Sequence, residues 1–408
     1  MIIKNARIYG EEPLDLELEK GIIKKIGKNL KGSKSLDAGS LTLLPSFVDL
    51  NVRLKNDKFS LENLALLEEK CLKSGISAVL LRDDMDFDEE SLSLFLNHLK
   101  SLKVRIFTSV RALDKDKKLK NLSTLISKNA FAIELESASE ANILRQSMQY
   151  ALMKDVPLLV RCFESGFDDG GVMSDGAMSF KLGLVGISKV SELSEVAKIK
   201  QIAKFYGSRM LYDCLSLKQS LDLLDSSDEI LISIHHLLKD SSACENFNTA
   251  AKLMPPLQEL DDTSALLQRL KDDFSKISKS EISKSAHKNH AKIKFLSALE
   301  SAKPITHKDL AFDEASFGID SLGEFMSLCN TFLVQKGILS WRHVCELASL
   351  NGAKFLGLNC GEIKVGKEAN FVLFDENLNI KIKENSLYAK DKLKGEVKAH
   401  FLNGELIF

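Results

Sequence analysis

The chain has 408 residues, is 44% hydrophobic and carries 56 basic against 57 acidic side chains, which is enough for one large domain and a smaller one, each with its own core. Charges so nearly balanced give no broad positive field of the kind that holds nucleic acid or anionic membrane, so neither is an expected partner. The seven cysteines are odd in number, widely spaced and free of any C-x-x-C pair, which argues against a disulfide framework or zinc ribbon and predicts buried small hydrophobes.

The opening ten residues alternate in polarity and show no basic region followed by an apolar run, and no stretch of about 18 uncharged apolar residues follows, so the expected location is cytoplasmic. Runs rich in β-formers at 1–8, 15–18 and 21–26, punctuated by Gly21 and Gly27, predict hairpins of a small sheet. After Pro45 the texture changes to apolar runs such as 78–81, 104–108 and 156–160. Segments 61–74, 137–154 and 189–206 carry apolar residues at helical spacing, each ahead of a strand-like run.

That alternation builds a parallel sheet, and eight strand-helix units over roughly 300 residues suit a closed barrel. Residues 275–294 alternate serine and lysine around single isoleucines and hold His287 and His290; they read as a solvated or mobile loop rather than a ligand site. Short β-type runs return at 371–374, 397–402 and 405–408. The predicted fold is therefore α/β: a (β/α)8 barrel over 46–355, flanked by a small discontinuous β-sandwich domain made from 1–45 plus 356–408.

Several stretches lie in a telling order. They are IKNARIY at 3–9, LPSFVDL at 44–50, GGVMSDG at 170–176 with KLGLVGI at 181–187, IHHLL at 234–238, MPPL at 254–257, ASFGI at 315–319, NGAKFLGL at 351–358 and GEIKVGKEAN at 361–370. Together they resemble the dihydroorotase and allantoinase branch of the amidohydrolase superfamily over essentially the whole chain. The resemblance implies a metal-dependent-hydrolase barrel in which one or two divalent ions, normally zinc, activate water and polarise a cyclic amide. Fold by itself does not establish activity.

The resemblance also implies where the ligands should be, and there this chain departs. The His-x-His pair of the first strand falls at Asn51 and Arg53; later histidine positions fall at Arg161 and Cys214; Glu134 lies near the position of the bridging acid. An amide oxygen is a poor zinc ligand and a guanidinium does not deprotonate, so these replacements oppose a metal, and none is expected. The general base that precedes a His-x-x-His pair falls at Ala286, before His287 and His290, and alanine can neither accept a proton nor orient water.

Substrate positions are altered as well. Lys55 stands for the Arg that would grip a substrate carboxylate, Arg82-Asp83-Asp84-Met85 for Met-Pro-Asn-Thr, and Met254 and Gln258 for the asparagine and arginine of Asn-Pro-Pro-Leu-Arg. Adjacent His235 and His236 read as structural residues on a strand, where neighbours point to opposite faces and cannot both enter one site. Cys214 is a weaker candidate nucleophile, with no histidine close in sequence to activate it. Arg53, Arg161 and Glu134 are expected to form a buried ion-pair cluster.

The expected function follows from the resemblance: a non-catalytic dihydroorotase homologue of pyrimidine biosynthesis, acting as scaffold or regulatory partner of aspartate carbamoyltransferase in a homo- or hetero-oligomer. The alternative is a divergent cyclic amidohydrolase using His235, His287 or His290 with Glu134. A third possibility is that the mouth, carrying Arg53 and Arg161, takes an anionic metabolite.

Overall fold

The computed structural model describes residues 1–82, 86–168, 170–275 and 290–408. The opening segment makes five strands, β1 (Ile2–Ile8), β2 (Pro13–Glu19), β3 (Ile22–Gly27), β4 (Ser35–Asp37) and β5 (Thr42–Pro45). Eight parallel strands then build the barrel: β6 (Phe47–Val52), β7 (Ile76–Leu81), β8 (Arg105–Arg111), β9 (Ala132–Glu136), β10 (Leu158–Arg161), and, after the two-stranded ladder of β11 (Met173–Ser174) and β12 (Gly186–Ile187), β13 (Met210–Tyr212), β14 (Glu229–Ser233) and β15 (Ile293–Ser297). The end of the chain adds β16 (Phe371–Asn379), β17 (Lys394–Leu402) and β18 (Glu405–Leu406) to the first sheet.

Both termini thus share one eight-stranded mixed sheet, joined where β16 runs antiparallel to β5 and Phe371 faces Pro45. The period of two in a strand decides what each face covers. Leu43, Phe371 and Leu373 pack with Ile3, Leu16 and Phe401 in the sheet's own core, whereas Leu44, Val372 and Phe374 turn the other way into the large core around the barrel.

The same alternation fills the barrel. Val48, Leu50, Ala78, Leu80, Leu159, Leu211 and Leu231 occupy the lumen, while Phe47, Val52, Val79, Leu81, Leu158, Val160 and Ile230 face the surrounding helices. Strands buried on both faces read as continuous apolar runs, which is why the sequence marks them so clearly. The covering helices end where their signals lie. Leu61–Lys73 starts with Ser60 Oγ accepting from Asn63 N, and Lys189–Tyr206 is capped by Ser188 and stopped by left-handed Gly207.

The ring shuts between its first and last strands. Arg53 N donates to the Glu300 carbonyl at 2.8 Å, and the Asp49 carboxylate accepts from Ser297 Oγ at 2.6 Å and from Ala298 N at 2.8 Å. Burial pushes the Asp49 carboxyl up to about 6, against the opposing pull of those hydrogen bonds. Among the described residues no helix is long and apolar enough to cross a membrane.

Candidate functional site

In a (β/α)8 barrel the side chains at the C-terminal ends of the strands converge on one mouth. Here those ends deliver charge. Arg53 follows β6, Arg82 follows β7, Arg161 closes β10 and Asp213 follows β13. On β9, Ala132 faces the lumen and Ile133 faces outward, so the alternation brings Glu134 back to the inner side at the level of the mouth.

Arg82 is the centre of the arrangement. Its Nε donates to Glu134 Oε1 at 2.7 Å, and its Nη1 stands 3.0 Å from Asp213 Oδ2 as an ion pair whose angle is not that of a hydrogen bond. Arg161 Nη2 reaches the same Asp213 oxygen at 3.3 Å, and Ser109 Oγ donates to Glu134. Burial favours protonated carboxyls, yet the guanidinium groups of Arg82 and Arg53 hold Glu134 down at about 2, and those of Arg82, Arg161 and Arg53 keep Asp213 below the ordinary carboxylate range. Arg82 itself is raised, since its two carboxylates outweigh its desolvation.

Of the three residues expected to cluster, Glu134 pairs with Arg82 and Arg161 with Asp213, so the ion pairs run through two residues that the expectation left out. A signal for Arg82 exists in the sequence: like Arg53 and Arg161, it is a lone guanidinium directly after an apolar strand. Asn51 Nδ2 donates to Asp213 Oδ1 at 2.7 Å and contacts Cys214 Sγ at 3.1 Å. Cys214 is fully buried, and burial together with Asp213 pushes its thiol well above the ordinary value, which leaves no thiolate for attack.

His235 and His236 are not on a strand, contrary to expectation; they form the single helical turn Ile234–Leu238 that directly follows β14. Both are nevertheless structural. His235 bonds Tyr388 Oη and the Ala298 carbonyl, each at 2.8 Å, and His236 Nε2 bonds the Pro255 carbonyl at 3.0 Å. Burial lowers them to about 3 and about 4, so they are neutral imidazoles engaged within the protein.

His290 pairs by backbone with Asp225, ahead of the first residues of β14 and β15. That is the end of the barrel opposite the mouth, so His290 does not join Glu134. Asp84, Ala286 and His287 lie outside the described residues. The residue that the eighth strand brings to the mouth is Ser297, whose hydroxyl is bound to Asp49; the base position expected at Ala286 falls before that strand begins.

Of the expected substrate positions, Lys55 is exposed, and Gln258 is buried in a bridge between Ser174 Oγ at 2.7 Å and Ser216 Oγ at 3.0 Å. Met254 lines a chamber of about 210 Å³ with Arg53 and Arg161. A larger cleft of about 610 Å³ opens on the other side of the mouth, where Arg53, Arg82, Arg111, Glu134 and Arg161 meet Phe163.

These donors do not fit a divalent cation. Among the described residues no group of three or more His, Cys, Asp or Glu side chains converges to hold one. Among the described residues, Glu134 and Asp213 are engaged by guanidinium groups, and Asn51 presents its NH2 to Asp213.

A parallel eight-stranded barrel with its ionic residues at the strand ends, joined to a sheet made from both termini, defines an amidohydrolase-type architecture. The sequence pattern of the Amidohydrolase family matches residues 192–407, and the chain belongs to that family. It is 27% identical to the dihydroorotase of Caldanaerobacter subterraneus over all of this chain and 96% of the relative. It is 26% identical to a probable dihydroorotase-like protein of Helicobacter pylori, over all of this chain and 98% of that one. In three dimensions it is similar to the L-hydantoinase of Arthrobacter aurescens, with a TM-score of 0.81 at 16% identity, covering all of this chain and 95% of the other.

Proposed function

We propose that this chain is a dihydroorotase-like member of its family that does not hydrolyse cyclic amides through a metal, and that it serves pyrimidine synthesis as a binding partner of aspartate carbamoyltransferase. The observation that carries the reading is the position of Arg82, whose guanidinium lies between Glu134 and Asp213 at the centre of the mouth. A fixed organic cation there neutralises the carboxylates that a metal would need and supplies neither an activated water nor an open coordination position. The likeness to the dihydroorotase-like protein of Helicobacter pylori fits the same reading. The partner rests on the resemblance to inactive chains that associate with that transferase.

The test is to mix the purified protein with the aspartate carbamoyltransferase of the same organism and measure the mass of what elutes. A joint assembly supports the scaffold, and separate elution at micromolar concentration removes it. The full-length likeness to a protein named dihydroorotase favours a second reading, a divergent hydrolase. One tightly bound zinc per chain together with turnover of dihydroorotate would establish that reading in place of the first.

A further inference from the structure

The segment between β11 and β12 forms the short helix Ala177–Leu182. Met178 and Leu182, four residues apart, pack against the large core, so Phe180 lies on the opposite side of the turn and is 91% exposed. Polar contacts fix the neighbours of this helix. Ala177 N donates to Glu259 Oε1 at 3.1 Å, and Glu259 Oε2 pairs with Lys189 Nζ at 3.0 Å, which sets Leu260 and Val190 alongside. Lys181 Nζ pairs with Glu245 Oε1 at 2.8 Å, two residues before Phe247.

Phe180, Phe247, Leu260 and Val190 thereby present one apolar patch to solvent, with Leu260 62% and Phe247 50% exposed. The two phenylalanines alone expose on the order of 200–350 Å². Single exposed apolar residues are ordinary, but a contiguous patch with a polar rim marks an interaction site. The rim carries both signs: Lys181 and Lys189 are paired as above, Lys390 draws down the Glu245 carboxyl together with Lys181, and Asp175 and Asp261 are exposed acids. Lys181 and Glu245 are each more than half exposed, so water competes for their pairing and it adds little to the fold. A rim of mixed sign does not suit nucleic acid or a strongly charged partner. It suits a second copy of itself turned about a two-fold axis, in which each lysine faces a glutamate.

We propose that this patch joins two copies of the chain about a two-fold axis, with Phe180 and Leu260 at the centre and Lys181 of each copy facing Glu245 of the other. In such a contact the same residues serve both sides, so one patch is enough to close the pair. A net charge of −1 leaves no broad repulsion between copies. A standard interface takes about 800 Å² from each partner; the apolar side chains fill its centre and the charged ones its rim. The inference does not rest on the reading of the mouth or on the transferase.

The experiment is sedimentation equilibrium of the purified full-length chain at micromolar concentration. At least twice the single-chain mass is expected of the parent. Phe180→Asp, a change at a side chain already in water, should halve that mass while its circular dichroism matches the parent's. Lys181→Glu and Glu245→Lys should each weaken the pairing about tenfold or more, because like charges then face each other. Mixed together, those two variants should pair again, since one carries two acids and the other two lysines. A monomeric parent, an assembly indifferent to Phe180→Asp, or a mixture no heavier than its components overturns the proposal. If the parent is monomeric and Phe180→Asp abolishes binding to the transferase, the patch belongs to that partner and the two-fold contact is overturned as well.

Discussion

Arg82 Nε and Glu134 Oε1 lie 2.7 Å apart, tying the second barrel strand to the fourth across a mouth where Arg82 is 2% exposed. Removing one member of a buried pair strands the other, at a cost of about 3–5 kcal/mol. Arg82→Met is expected to lower the unfolding free energy in urea by that amount. The double variant Arg82→Met, Glu134→Gln should recover most of it, because Asp213 keeps Arg161 as its partner. A single variant as stable as the parent would show that the pair does not hold the mouth together.

A metal at the mouth would register as stability. A ligand at a hundredfold excess over its Kd adds about 2.7 kcal/mol to the folded state. With Arg82 on both carboxylates, melting curves taken in EDTA and in micromolar zinc are expected to superimpose. A zinc-dependent rise in Tm, absent from a variant in which Glu134 is replaced by Gln, would contradict the assignment of the site.

Acid should destabilise the fold well before the mouth carboxylates titrate. Burial lowers His235 to about 3 and His236 and His400 to about 4, from an ordinary 6.5. A group whose pKa falls on folding adds stability above its unfolded value and loses it as the pH drops toward the folded one. These three therefore withdraw stability from pH 6.5 down to about 4. Asp49 works in the opposite sense: raised to about 6, it contributes most below its unfolded value near 3.8 and loses that contribution as the pH rises through 6. Burial raises Glu192 and Glu324 in the same sense as Asp49, but each group changes stability by at most about 1.4 kcal/mol per pH unit, and the three imidazoles act over the whole span from about 6.5 down to 4.5. The urea midpoint at pH 4.5 is expected to lie clearly below that at pH 7, and equal midpoints would refute the balance.

Gly318 has φ +143°, and a Cβ there would fall within the van der Waals envelope of the Ser301 carbonyl oxygen. Gly318→Ala should cost about 1–3 kcal/mol through backbone strain. An unaltered urea midpoint would mean that this loop relaxes freely.

Much of this was legible in the residues because buried strands announce themselves. The apolar runs at 78–81 and 156–160 are β7 and β10 in the structure, and helix Lys189–Tyr206 begins and ends where its serine and glycine place it. Arg53, Arg161 and Glu134 could be placed at one mouth because the resemblance puts them at the family's ligand positions. Arg82 was hidden by its neighbours, since alignment to a substrate-binding motif drew attention to Asp84 and away from the guanidinium that begins that stretch. Asp213 was hidden by the cysteine beside it. Which carboxylate meets which cation is decided across strands that lie 52 residues apart in sequence, for Arg82 and Glu134 as for Arg161 and Asp213, and no local pattern carries that. The paired histidines misled for a related reason: β14 stops at Ser233, whose hydroxyl caps a new helical turn, and the helix rotates both imidazoles into the interior.

The contact of Asp49 with Ser297 spans 248 positions in sequence. During synthesis the nascent chain cannot make it until the eighth strand has left the ribosome, so until then the ring cannot close. Circularising the barrel therefore waits on its last strand, and Asp49 on the first barrel strand and the Arg53 amide just after it fasten it.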